Sequence, residues 1–164
     1  MKQSRRDLIL DAAERIVEKE TIMNLSFDRI AGFSKISKGG ILYHFPAKED
    51  LLRGMVSRAI ETFDSTVSVL MKQRRLNFRE AYILASFNTK WARMAKTLLP
   101  VVMSDMSLMG LLKEAYKKWN GLLGEQSSKA AAMKVRLMLD GLLYNQILGL
   151  PLPPRNDLEQ LFKR

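Results

Sequence analysis

Nine residues between Ser26 and Lys48 carry groups suited to holding a polyanion: Ser26, Lys35, Ser37, Lys38, Gly39, Gly40, Tyr43, His44 and Lys48. The lysines, hydroxyls and imidazole donate to phosphate oxygens, and a lysine also donates to guanine O6 and N7. Each glycine lets backbone come close to a sugar–phosphate chain, although it costs a helix roughly 1 kcal/mol relative to alanine. Little else in the chain has reactive chemistry. It holds no cysteine and one histidine, which excludes disulfides, thiolate metal sites, cysteine nucleophiles and histidine-rich metal clusters. No nucleophile has a base, no carboxylates pair at a plausible site, and the SKGG run lacks nucleotide-loop spacing. We therefore expect no catalysis, cofactor or metal; the lack of cysteine suits a reducing cytoplasm, the expected location.

Two short helices must hold the nine groups. Ser26 can cap a helix whose Phe27, Ile30 and Ala31 form one buried stripe. A second helix can start at Ser37, turning Ile41 and Leu42 inward and leaving Lys38, Gly39, Tyr43 and His44 on or near the outer face. Pro46 falls where a third begins, with Lys48, Glu49 and Asp50 in its first turns. This is the footprint of a helix-turn-helix reader of double-stranded DNA, with Lys38 placed for a base edge. Competing roles exist for each group: Tyr43 packing between helices, His44 capping or packing, Lys48 merely solvated, and Lys38 touching phosphate alone.

The block SKGGILYHFPAKEDLL, from Ser37 to Leu52, and RRDLILDAAERIVEKE upstream resemble the DNA-binding region of the TetR (tetracycline repressor) family of bacterial transcriptional regulators. The likeness is strong over about the first third of the chain and elsewhere extends only to length and helical layout. It implies that Tyr43, His44 and Lys48 contact phosphates, that a homodimer reads an inverted-repeat operator, and that a small effector bound in the body releases DNA. The chain departs from the pattern at Lys35, where the family usually has glycine, and at Ala47, often serine. A positive φ at Lys35 would cost roughly 1 kcal/mol or more.

The expected fold is all-α: a helix-turn-helix head over residues 1–46, and a helical ligand-binding and dimerisation body over 47–164, entered by a long helix from about Ala47 to Lys72. The periodicity predicts a first helix from about Gln3 to Glu20, one from Phe78 past Trp91 to about Leu98, and a break or kink at Pro100. Further helices follow through Leu108 to Trp119, with Gly121 and Gly124 marking the next turn, then over Lys129–Leu148 and Asp157–Lys163. The net charge of +10 suits nucleic acid. Its excess lies in the body: Met1–Asp50 holds nine Lys/Arg against eight Asp/Glu, and the remainder eighteen against nine.

Body residues Phe87, Trp91, Met94, Met106, Met109, Trp119, Met138 and Tyr144 are the expected lining of a pocket for an apolar or amphipathic effector. An ordinary core with methionine filler is the competing account. An anionic head group is a further option, with Asn88, Lys90, Arg93 and Lys96 nearby in sequence. The helix over Lys129–Leu148 is apolar on two flanks and must be covered twice; with the last helix it resembles the family's dimer elements, while a central core position is the alternative. No window is apolar enough to span a membrane, and none is expected as partner. The alternative function is a DNA-binding architectural protein that needs no effector, its body serving only dimerisation.

Overall fold

A computed structural model describes residues 3–87 and 89–162, all in helices, turns and connecting loops. In chain order the helices are α1 (Arg5–Lys19), α2 (Phe27–Ser34), α3 (Lys38–His44), α4 (Lys48–Arg74), α5 (Phe78–Ser86), α6 (Thr89–Ser104), α7 (Met109–Gly124), α8 (Lys129–Leu148) and α9 (Arg155–Phe162). Single 3-10 turns precede α2 and α7. The all-α expectation holds.

The chain packs as two units: Met1–Glu61 with Lys96–Lys113, and Thr62–Ala95 with Glu114–Arg164. In the first, α1 buries Ile9, Leu10, Ala13 and Ile16 with Ile30 of α2, Ile41 of α3, and Leu51 and Val56 of α4. Side-chain caps start the helices: Ser4, Ser26 and Ser37 oxygens accept from the N–H groups of Asp7, Arg29 and Gly40. Ala47 cannot cap α4; instead the Asp50 carboxylate accepts the Ala47 N–H at 3.1 Å. Arg58 of α4 reaches α1, donating to Asp11 at 2.7 Å, to Glu14 at 3.1 Å and to the Asp7 carbonyl at 3.2 Å. Gly54 admits Phe45, for a Cβ there would lie 2.8 Å from that ring.

The second unit is built on rings. Phe63 stacks obliquely on Trp91 and Trp119, with centroids 4.5 and 4.8 Å away, and meets Tyr82 edge-on at 5.3 Å. α5 packs on α8, whose inner face buries Ala132, Val135, Leu139 and Leu142. A capping box closes the start of α5: Asn77 accepts the Glu80 N–H, and Glu80 accepts the Asn77 N–H.

Two expectations about helix limits fail, and of the break or kink expected at Pro100 the break does not occur. The helix expected from Phe78 to Leu98 is two, α5 ending at Ser86 and α6 beginning at Thr89. Ser86 turns its hydroxyl onto the Tyr82 carbonyl in the last turn of α5, a local bond that competes with helix continuation. Pro100 breaks nothing and lies inside α6. Its ring is on an exposed face shared with Lys96, whose carbonyl loses the proline's missing N–H, while Leu98, Val101 and Val102 are buried and hold the helix together. Gly121 is helical within α7, so only Gly124 lies at its end. The last helix starts two residues before Asp157; Lys163 lies outside the described residues.

Candidate nucleic-acid interface

The turn between α2 and α3 depends on one residue in a rarely used conformation. Lys35, the C-cap of α2, has φ 60° and ψ 22° and donates its N–H to the Ala31 carbonyl at 3.0 Å. The left-handed geometry foreseen for this position is present with a lysine in it. The Ser34 hydroxyl accepts the Ile36 N–H at 3.2 Å, and Ser37 then caps α3. Lys35 and Ser37 are both exposed at this turn.

Along α3, Ile41 is wholly buried, whereas Leu42, expected inward, is 38% exposed; seven residues give a helix only one narrow inner stripe. Tyr43 is 84% exposed and so does not pack between helices. Its ring meets that of His44 edge-on at 5.2 Å, and His44 is half-buried. The two glycines differ. A Cβ at Gly39 would meet open space, as a close-approach position requires, but at Gly40 it would lie 2.9 Å from Ile36 Cγ2 and 3.3 Å from Ser37 Oγ. Gly40 is thus required by the turn itself.

Ser26, Lys38 and Lys48 come together around a cleft of about 330 Å³ whose floor is Leu25, Phe27 and Leu51. A fourth polar group lines it: Asp28, whose carboxylate accepts from the Lys38 ammonium at 3.0 Å. The sequence reading missed Asp28. The available signal was an acid in the first turn of α2 ten residues ahead of Lys38, and it reads equally well as a favourable charge at a helix N-terminus.

The residues expected to line an effector pocket are divided. Met106 and Met109 belong to the first unit; Phe87, Trp91, Met94, Trp119, Met138 and Tyr144 belong to the second. Trp91 and Trp119 join the Phe63 cluster, Phe87 faces Phe162 at 6.0 Å, and Met106 and Tyr144 are exposed. Asn88 lies outside the described residues, as does the Lys90 side chain, while Arg93 and Lys96 are exposed. Acids, instead, border the rings. Asp64 accepts from Trp119 Nε1 at 2.8 Å and from Lys118 at 2.7 Å. Asp140 accepts from the Tyr116 hydroxyl at 3.0 Å, and Arg136 sits 3.7 Å from it and over the Tyr116 ring. Burial pushes the Asp140 carboxyl above its ordinary value, against the opposing pull of Tyr116 and Arg136. The Tyr82 and Tyr116 phenols are likewise held neutral, first by burial and then by nearby acidic groups.

Among the described residues no cluster of acids and histidine could hold a metal, and no single helix is long and apolar enough to cross a membrane. The family model described as bacterial regulatory proteins, tetR family, matches residues 9–55, and that of the tetracyclin repressor-like C-terminal domain matches 77–164. The chain belongs to the TetR family. It is a TetR-family transcriptional regulator with a helix-turn-helix head and a ligand-binding-type C-terminal domain. TetR-family proteins are regulators, not enzymes.

No curated protein matches the sequence. Solved structures share the TetR fold at low identity. A TetR family member from Streptomyces coelicolor, SCO1917, is 21% identical with a TM-score of 0.78, covering 97% of this chain and 96% of its own. The multidrug binding protein EbrR complexed with malachite green is 21% identical, TM-score 0.72, over 89% and 88% of the two chains. EbrR complexed with ethidium is 20% identical, TM-score 0.71, over 98% of each.

Proposed function

We propose that this regulator is a repressor that binds an inverted-repeat DNA operator as a homodimer and is released by a small aromatic cation. The observation that carries the DNA reading is the outer face of α3. Lys38, Gly39 and Tyr43 are exposed on a helix anchored by the fully buried Ile41, beside Ser26 and Lys48 at two helix starts. A second copy supplies the second head. The outer stripe of α8, with Met133, Leu137, Tyr144 and Leu148 each more than half exposed, supports that pairing.

The effector's charge is read from the second unit. A ring cluster bordered by Asp64 and Asp140, with their partners Lys118 and Arg136, suits an aromatic cation through its ring faces better than the anion that the basic composition suggests. Malachite green and ethidium, bound by EbrR, are both aromatic cations. Release would be a population shift, and a tenfold loss of operator affinity needs about 1.4 kcal/mol of coupling.

Selection of random duplexes at about 150 mM salt tests the first part. An inverted repeat supports a sequence-reading dimer; retained DNA with no motif, lost as salt rises, overturns it. Tetraphenylphosphonium, an aromatic cation that does not intercalate, tests the second. Both tryptophans of the chain, Trp91 and Trp119, lie in the ring cluster, so their fluorescence reports on it directly. Changed emission with at least tenfold weaker operator binding supports release. Operator affinity untouched at saturating probe favours the effector-independent architectural protein.

A further inference from the structure

We propose that Asp28 is a specificity-determining residue that reads DNA jointly with Lys38; the inference rests on α3 facing DNA. Among the residues lining the cleft, Asp28 is the only acid, beside Lys38 and Lys48. In a surface that holds DNA through charge alone, an exposed carboxylate is a defect, since it repels the phosphates that the lysines attract. Capping does not account for its contact: the Arg29 N–H is taken by Ser26 Oγ, while Asp28 turns to Lys38.

The pair presents a cationic donor and an anionic acceptor 3.0 Å apart, and both side chains are more than half exposed. In the major groove, one edge of a G·C pair presents guanine O6, an acceptor, next to cytosine N4, a donor. Within the pair the cytosine N4–H donates a hydrogen bond to guanine O6, so the two atoms lie about 3 Å apart. Lys38 and Asp28 match them in spacing and in reversed polarity. Lys38 donates to O6 and Asp28 accepts from N4, so neither charge goes unmet when the ion pair leaves water. The match fixes orientation: the base on the Lys38 side must be a keto base, guanine or thymine, and the base on the Asp28 side cytosine or adenine. Guanine N7 gives Lys38 a second acceptor, so G·C ranks above T·A. Reversal to C·G sets donor against donor and acceptor against acceptor.

The test compares wild type, Asp28→Ala, Asp28→Asn and Lys38→Ala on the duplex recovered by wild-type selection, with all four base pairs placed at each operator position. Wild type should favour G·C over C·G at one position per half-site by roughly tenfold or more. Asp28→Ala should lose most of that preference while binding random duplex at least as tightly as wild type, and Lys38→Ala should lose preference at the same position. Asp28→Asn, which keeps the shape but brings a donor as well as an acceptor, should tolerate both orientations. Unaltered preferences in both Asp28 variants, or a uniform loss across all sequences, would overturn the joint reading while leaving α3 as the DNA reader. A wild-type selection with no motif would overturn both together.

Discussion

Lys35 shows how one backbone angle can be readable from sequence and costly in the fold. At φ 60° its Cβ is crowded in a conformation that costs roughly 1–2 kcal/mol for residues other than glycine. Lys35→Gly should raise stability by about 0.5–1 kcal/mol after glycine's own entropic cost, measured by urea unfolding. Lys35→Ala, which keeps the strained Cβ while removing the charge and its methylene stem, should not. Gly54 is the opposite case. A Cβ there meets the Phe45 ring at 2.8 Å, and that ring is nearly wholly buried, so Gly54→Ala should destabilise by about 1–3 kcal/mol through overpacking. Gly110→Ala, with open space around it, should be neutral or slightly stabilising in the same assay. The two positions mark where sequence reading stops. Lys35 was legible because the resemblance to the TetR family puts a glycine at this place in the turn, and a glycine there points to a left-handed residue. Gly54 was not, since a glycine within a periodic helix carries no sign of the ring packed against it, and Asp28 was not, since an acid in a first turn already has a local explanation.

Helix identity was legible wherever caps and period agree, as with Ser26 and Ser37 ahead of α2 and α3. It failed where the signals conflict. The apolar period runs unbroken across Ser86 to Thr89, so no pattern shows that the chain stops and restarts there, and Pro100 signals a break that its exposed face makes unnecessary. Contacts between elements are a level further from sequence. Asp140 of α8 bonds Tyr116 of α7 from a partly buried position that raises its pKa above the ordinary 3.8. A carboxyl whose folded pKa is raised binds more protons folded than unfolded. Its contribution to stability is therefore favourable at low pH and declines as pH rises through and above the ordinary carboxylate value. Asp140→Asn keeps an acceptor for Tyr116 without the charge. Its melting temperature should fall less than that of wild type as pH rises through and above the ordinary carboxylate value. Parallel curves for the two proteins would show that Asp140 keeps its charge at no cost.

At the scale of the whole molecule the proposed operator reading requires two heads, and the outer face of α8 is the surface proposed for the second copy. The inner face of α8 packs on α5 and the core of its own unit, burying Ala132, Val135, Leu139 and Leu142. Its outer face nonetheless carries Met133, Leu137, Tyr144 and Leu148 at intervals of four, seven and four residues, all exposed, an apolar stripe running most of the helix. Two such stripes related by a two-fold axis bury each other, and because each residue then occurs twice about the axis, one substitution acts twice. Leu137 lies near the middle of the stripe. Leu137→Glu would place two carboxylates in the apolar contact, one from each copy, while in the isolated chain the residue points to water, so the folded monomer should keep its melting behaviour at low concentration. The expected outcome is a dimer-to-monomer shift by sedimentation, together with operator affinity reduced by tenfold or more, because two heads on separate chains lose the effective concentration that dimerisation confers. Leu137→Met, similar in volume and apolar, should leave both unchanged. If Leu137→Glu remains dimeric and binds the operator normally, the second copy docks elsewhere; if it becomes monomeric and still binds with full affinity, one head suffices and the inverted repeat is not what the protein reads.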